Sequence, residues 1–120
     1  MQAKIHIKDI KVDVIIGVHK IERREKQPLI IQACIEVDVQ EAVNTDNINS
    51  AVNYAEVVQE IIDVSEATEF NLLESFAAHL AKKLLKKFKL ISIGLIINKP
   101  FATKGISDIS IECFLKSDRI

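Results

Sequence analysis

Four polar residues of this sequence have types and positions suited to proton transfer or to binding a polar ligand. Glu22 lies in a charged loop after an apolar strand pattern, and Tyr54, the only tyrosine, opens a helical pattern. Glu74 lies near the start of a second helical pattern, and Lys99 ends a highly apolar segment directly before Pro100. Carboxylate, phenol and amine groups are the usual acids and bases of enzymes. These four residues are therefore our candidates for acid–base chemistry.

Each candidate also has a purely structural explanation. Glu22 can be a solvated carboxylate among other loop charges, and Tyr54 can be a partly buried packing residue. Lys99 can simply mark the point where burial of its strand ends. Glu74 stands three residues after Asn71, which is the spacing of a capping box, so its carboxylate could bond the Asn71 backbone and favour the helix dipole. Spacing alone leaves both explanations open.

Signatures of several other enzyme classes are missing. The sequence contains no GxGxxG, GxxxxGK[ST], GxSxG or HExxH motif. His6, His19 and His79 show no metal-ligand spacing together with carboxylates, so we expect no metal site. Cys34 and Cys113 lack CxxC or Cys/His ligand spacing, and we interpret both as reduced strand residues without a catalytic role.

Composition and charge describe one ordinary domain over residues 1–120. The chain is 48% apolar and 28% charged, with a net charge of -1. This balance removes the electrostatic argument for nucleic acid or an anionic membrane as partner. Charges between Met1 and His6 interrupt what would be the apolar region of a signal peptide, and no apolar run approaches a membrane span. We therefore expect a soluble protein of the cytoplasm.

Apolar periodicity predicts four strands and two helices. Alternation at Ile5 and Ile7 resumes on the other parity at Ile10, so the slip at Lys8-Asp9 predicts a β-bulge. Further strand patterns cover 29–39, 91–97 and 109–115. Asn53 with Glu56, and Asn71 with Glu74, have capping-box spacing before two helical stripes. The stripes are Val57, Val58, Ile61 and Ile62, and then Leu73, Phe76, Ala77, Leu80, Ala81, Leu84, Leu85 and Phe88.

The order β-β-α-α-β-β predicts an α+β fold, a four-stranded antiparallel sheet with two helices on one face. The opposite face of the sheet is mostly polar, so we expect it to meet water or a wet interface. Its residues are Ile30, Gln32, Cys34, Glu36 and Asp38 on the second strand, and Ser110, Glu112 and Phe114 on the last.

Five groups of short motifs, in order across nearly the whole chain, resemble the dihydroneopterin aldolase family. They are Ile16-Gly17-Val18 with Glu22-Arg23 and Gln27, then Thr45-Asp46-Asn47, Asn53-Tyr54, Asn71-Leu72-Leu73-Glu74 and Lys99-Pro100. The resemblance implies the tunnelling fold, whose subunits join their sheets into ring-shaped barrels. The implied homo-oligomer is a tetramer or a stacked octamer with active sites between neighbours. The polar sheet face would then line a wet central channel.

The reaction implied by the resemblance is the retro-aldol cleavage of a small pterin, 7,8-dihydroneopterin. The products are 6-hydroxymethyl-7,8-dihydropterin and glycolaldehyde, and the step belongs to folate biosynthesis. The family resembles neither the Schiff-base nor the metal-dependent aldolases, because the pterin ring accepts the electrons of the breaking carbon–carbon bond. The protein then supplies positioning and proton transfer, and we expect no cofactor.

The same resemblance implies a role for each candidate. Glu74 anchors the pterin by accepting hydrogen bonds from its 2-amino and ring N–H groups, and backbone groups around Leu72-Leu73 add contacts. Lys99 acts with a bound water to deprotonate the side-chain hydroxyl and to reprotonate the enol. Tyr54, expected from the neighbouring subunit, orders that water or relays the proton. Glu22 binds the hydroxylated side chain and aligns it with Lys99.

Two alternatives remain open. A related branch with the same fold epimerises the side chain of dihydroneopterin triphosphate, starting from the same retro-aldol step; Lys99-Pro100 is more similar to the aldolase branch. The segment Lys104–Ser110 departs from the small, glycine-containing sequence common in the family, and Lys104 or Arg23-Arg24 could meet a triphosphate. The other alternative is a non-catalytic pterin- or purine-binding ring protein, which would need only the anchor at Glu74.

Overall fold

A computed structural model describes residues 1–100 and 107–118. Its strands are β1 (Gln2–Ile16), β2 (Gln27–Asp38), β3 (Glu69–Phe70), β4 (Ser92–Lys99) and β5 (Ile109–Lys116). Its α-helices are α1 (Gln40–Thr45), α2 (Tyr54–Glu66) and α3 (Leu73–Lys87), and short 3₁₀ turns cover Lys20–Arg23 and Ile48–Ser50. Lys104, which we named as a contact for a triphosphate, lies outside the described residues.

The strands form one sheet in the order β3-β1-β2-β4-β5. The four long strands pair antiparallel, as predicted, and the α+β class is confirmed. The four-stranded, two-helix description is wrong in detail. β3 adds a fifth strand that pairs parallel to β1, through Ile15 with Glu69 and Ile16 with Phe70, and α1 adds a third helix. Elements of two and six residues are too short to show an apolar period.

The core lies between the sheet and the two long helices, because each contributes one apolar face. α2 packs on β1, and α3 packs on β4 and β5. All eight residues of the predicted stripe on the second helix are buried, and so are alternate residues of β2: Leu29, Ile31, Ala33, Ile35 and Val37. Removing this apolar surface from water is the main favourable contribution to folding.

The predicted bulge in β1 is confirmed. The register between β1 and β2 shifts between Ile7 and Ile10, and Asp9 has a φ of 58° in the left-handed region. An extra residue inverts the side-chain alternation. Apolar residues on both sides of the bulge therefore face the helices.

The other face of the sheet is polar, as the alternation predicted. Side chains there are half-buried or exposed, and Phe114 is 68% exposed. Cys34 and Cys113 are free cysteines within β2 and β5, which confirms that both are strand residues. Over the described ranges, no helix is long and apolar enough to cross a membrane.

Candidate active site

Three strand ends meet at one end of the sheet. β2 runs antiparallel to both β1 and β4, so the last residue of β1, Ile16, lies near the first of β2, Gln27, and the last of β4, Lys99. The turn that follows β1 carries Glu22 to the same end. Residues far apart in sequence therefore come together here.

Lys99 and Glu22 form an ion pair at this end. Lys99 Nζ donates a hydrogen bond to Glu22 Oε2 at 2.5 Å, and the two side chains are only 11% and 15% exposed. Hydrogen bonds between charged groups are the shorter and stronger ones, and limited solvent access screens this one little. Glu22 is therefore no solvated loop carboxylate, and Lys99 does more than mark the end of burial.

Two further donors hold the Glu22 carboxylate. The backbone N–H of His19 donates to Oε1 at 3.2 Å, and Gln27 Nε2 lies 3.5 Å from Oε2. Burial raises the pKa of Glu22, but the hydrogen bonds from Lys99, His19 and Gln27 outweigh it and lower the pKa from its usual 4.5. Glu22 is therefore an anion at neutral pH.

Glu74 lies at the start of α3, without the predicted capping box. The helix begins at Leu73 with Leu72 as its N-cap, and Leu72 has no side-chain oxygen to cap with. Asn71 therefore lies one residue too early. The Glu74 side chain is exposed and has no hydrogen-bond or ion-pair partner within the described parts of the chain. An uncapped helix start also leaves backbone N–H groups near Leu73 open to a ligand.

A backbone hydrogen bond brings the start of α3 to the same end of the sheet. Gly17 N donates to the carbonyl oxygen of Phe70 at 3.0 Å, and α3 begins three residues after Phe70. A groove of about 450 Å³ between α3 and β5 extends from Glu74 along Ala77, Ala81, Ile111 and Cys113. Burial raises the pKa of the Cys113 thiol, which keeps it protonated at neutral pH.

Tyr54 lies at the opposite end of the molecule. Asn53 caps α2 as predicted, its side chain accepting from the Ala55 N–H at 3.0 Å, and α2 then runs toward the ion pair. At its far end Lys26 Nζ donates to the carbonyl oxygen of Glu66 at 3.3 Å. The helix rise of about 1.5 Å per residue separates Tyr54 from Glu66 by about 18 Å. Tyr54 is 61% exposed, so it is no partly buried packing residue either.

The structure thus assembles three of the four candidates at one end of a single chain. Gln27 and Gly17 lie within the family motifs, but neither was predicted to have a role in the site. A glutamine at the start of an apolar strand and a glycine at the end of another were the available signals. The groove nearest Tyr54 is a different one, of about 900 Å³, lined by residues that include Asp38, Asn53, Glu56 and Lys87.

Comparison with known proteins identifies the family. The family model for dihydroneopterin aldolase (FolB) matches residues 5–114. A dihydroneopterin aldolase of Haemophilus influenzae is 31% identical over 90% of this chain and 92% of its own. A dihydroneopterin triphosphate 2'-epimerase of Pseudomonas aeruginosa is 27% identical over 91% of this chain and 89% of its own.

The fold is also similar to that of a known dihydroneopterin aldolase. The crystal structure of Escherichia coli dihydroneopterin aldolase in complex with neopterin superposes with a TM-score of 0.87, at 22% identity, covering 94% of this chain and 98% of that one. The length of the family match and the Haemophilus influenzae relative show that this chain belongs to the dihydroneopterin aldolase family.

Proposed function

We propose that this chain is a dihydroneopterin aldolase, a lyase that cleaves 7,8-dihydroneopterin into 6-hydroxymethyl-7,8-dihydropterin and glycolaldehyde. The observation that carries the proposal is the nearly buried Lys99–Glu22 pair at the sheet end where Glu74 is exposed without a partner. The names of its relatives agree, and the Escherichia coli structure is a complex with neopterin.

Glu74 is suited to bind the pterin. The 2-amino group and a ring N–H of a pterin are two donors on one edge, which match the two oxygens of a carboxylate. The carboxylate is exposed and has no partner elsewhere in residues 1–100 or 107–118. The open N–H groups of the first turn of α3, at Leu72-Leu73, add donors beside it.

Lys99 and Glu22 are suited to move the proton. In a retro-aldol cleavage the side-chain hydroxyl loses a proton, the carbon–carbon bond breaks, and its electrons pass into the pterin ring. The enol that remains then takes up a proton as the hydroxymethyl product forms. A pair with little access to water can hold a proton between these two steps. Glu22 also aligns the hydroxylated side chain with Lys99 and its water.

Tyr54 completes the site from a second copy of the chain. It lies a helix length away from the Glu22 turn within one chain and is exposed, so it is free to act on a neighbour. The long strands also leave two edges that can pair, since β5 ends the sheet and β3 covers only Ile15 and Ile16 of β1. A ring of four copies, alone or stacked in pairs as an octamer, would satisfy both edges and enclose the polar sheet face.

Product analysis tests the proposal. The purified protein is incubated with 7,8-dihydroneopterin, and separately with its triphosphate, with and without a chelator. We expect glycolaldehyde and 6-hydroxymethyl-7,8-dihydropterin from the first substrate, at a rate that the chelator leaves unchanged. Binding of the pterin with no change in either substrate would identify a non-catalytic ring protein and would refute our roles for Lys99, Tyr54 and Glu22.

The epimerase is the second candidate, because a relative of that name matches 91% of the chain. The two reactions share the bond cleavage and differ in whether glycolaldehyde leaves or adds back on the opposite face. An epimer as the main product, above all from the triphosphate, would replace the aldolase proposal.

A further inference from the structure

The peptide group between Ile16 and Gly17 is held on both sides. Gln27 Nε2, at the start of β2, donates to the Ile16 carbonyl oxygen at 2.8 Å. The N–H of Gly17 donates to the carbonyl oxygen of Phe70 in β3 at 3.0 Å. One peptide group therefore joins the end of β1 to β2 and to the segment that leads into α3.

Gly17 has a backbone conformation that favours glycine. It is buried, and its φ of 130° lies in a region that residues with a side chain rarely adopt. The chain turns here from β1 into the segment that carries Glu22. The same conformation aims the position of a missing Cβ at the Glu22 carboxyl group.

A Cβ atom at Gly17 would overlap with Glu22. Built on this backbone, it would lie within 2.5 Å of the carboxyl carbon and of both carboxyl oxygens. That separation is far below van der Waals contact, so the carboxylate would have to leave the position in which its Oε2 accepts a 2.5 Å hydrogen bond from Lys99 Nζ. A side chain at position 17 would therefore displace the Glu22 carboxylate from its observed place beside Lys99.

We propose that Gly17 is a positioning residue of this site: its bare backbone admits the Glu22 carboxylate beside Lys99. Its effect on turnover rests on the proposed function, whereas its effect on Glu22 rests on the geometry alone. Gly17 touches no reacting atom in this proposal and acts through Glu22.

Gly94 provides a matched control. It lies in β4, and a Cβ there would meet its nearest neighbours, Cys113 O and Cys34 Cβ, at 3.8 Å, which is ordinary contact. Gly94→Ala should therefore leave Glu22 and turnover unchanged. A loss of turnover at Gly17 that Gly94 does not share cannot be a general effect of adding a methyl group.

A double-mutant cycle measures the dependence on Glu22. Gly17→Ala should lower kcat by about 100-fold while the Kd for the pterin changes by less than about threefold. In a Glu22→Ala background, where nothing is left to displace, Gly17→Ala should change kcat by less than about twofold. Wild-type turnover in Gly17→Ala, or an equal loss in both backgrounds, would overturn the proposal.

Folding is followed in the same four proteins by circular dichroism and thermal unfolding. If the Gly17→Ala protein does not fold but the double variant with Glu22→Ala does, the result supports the proposal directly, because the clash with Glu22 is then the cause of misfolding. If neither Gly17→Ala nor the double variant folds, glycine is needed at position 17 for its backbone conformation alone, and the proposal is wrong.

Carbon NMR of carboxyl-labelled glutamate gives a readout that needs no turnover. The Glu22 signal is assigned by its loss in Glu22→Ala and titrated in wild type, Gly17→Ala and Gly94→Ala. We expect Gly17→Ala alone to move the Glu22 titration toward higher pH, since its carboxylate loses Lys99. An unchanged titration would refute the proposal. Wild-type protein that converts no pterin, with Glu22 shifted as expected, would refute the proposed function only.

Discussion

Lys99 and Glu22 lie 77 residues apart in the sequence and form a hydrogen-bonded ion pair of 2.5 Å. Lys99 ends β4 and Glu22 lies in the turn after β1, and these two strands are not neighbours, because β2 lies between them in the sheet. The turn after β1 must cross the start of β2 for the two side chains to meet. Gln27, the first residue of β2, has its side-chain Nε2 3.5 Å from Glu22 Oε2.

Lys99→Ala should remove turnover and spare pterin binding. Loss of a positioned acid or base costs about 10² to 10⁴ in rate, whereas the anchor at Glu74 would remain. Initial rates and pterin titration by fluorescence measure the two effects. Lys83→Ala, an exposed lysine on α3, is the control and should match wild type. Unchanged turnover in Lys99→Ala would contradict its role.

Glu74→Gln should weaken pterin binding more than it slows the bound substrate. A hydrogen bond to a charged group contributes about 2 kcal/mol, which corresponds to about 30-fold in affinity. The Kd for neopterin and the rate at saturating substrate measure the two effects. Ser75→Ala, at the next exposed position of α3, serves as the control. A binding constant within twofold of wild type would remove Glu74 from the binding site.

Two inactive variants should restore activity to each other if Tyr54 acts on a neighbouring chain. Lys99→Ala keeps Tyr54, and Tyr54→Phe keeps Lys99, so mixed assemblies contain some sites with both groups. Random exchange of equal amounts gives about a quarter of such sites across a directional interface. Activity is measured after the mixture is dissociated and reassembled. Activity no higher than the mean of the two variants would place Tyr54 outside a shared site.

The ion pair should make stability depend on pH through Glu22. Its folded-state pKa is lowered from 4.5, so the pair contributes stability above the unfolded pKa and loses it as the pH falls through the lower folded value. Urea unfolding of wild type and Glu22→Gln, from about pH 7 to about pH 3, should show a free-energy difference that shrinks below about pH 4.5. Glu25→Gln, an exposed neighbour, should show no such change. A difference independent of pH would contradict the assignment.

Local patterns predicted the long strands and helices, because the alternation of buried and exposed residues along each element is visible in the sequence. The parity slip at Lys8-Asp9 predicted the bulge, and the helical stripe through Phe76 and Leu84 predicted α3. The start of α3 was predicted one residue too early, at a capping box of Asn71 and Glu74. The capping-box spacing is only a local preference, and burial of Leu73, Phe76 and Ala77 in the core overrides it.

Residue type and position identified the four candidates, and the family resemblance gave each a role, while their spatial arrangement followed from neither. No motif states that Glu22 and Lys99 touch. Nor does any motif state that Tyr54 and Glu66 lie at opposite ends of α2, about 18 Å apart. Such distances depend on strand order and on which ends of the elements coincide. Gly17 is the sharpest case, because its function lies in the space it leaves for a side chain five positions later.

The sequence by itself determined the α+β class, the buried faces, the bulge and the family, because periodicity and short motifs are local features of the sequence. Only the tertiary structure decided that the ends of β1, β2 and β4 meet, that Glu22 is held by Lys99 rather than by water, and that Glu74 has no partner in the described chain. The physical reason is that an ion pair needs its two groups within a few ångströms. Sequence separation does not determine that distance, whereas the packing of the sheet does.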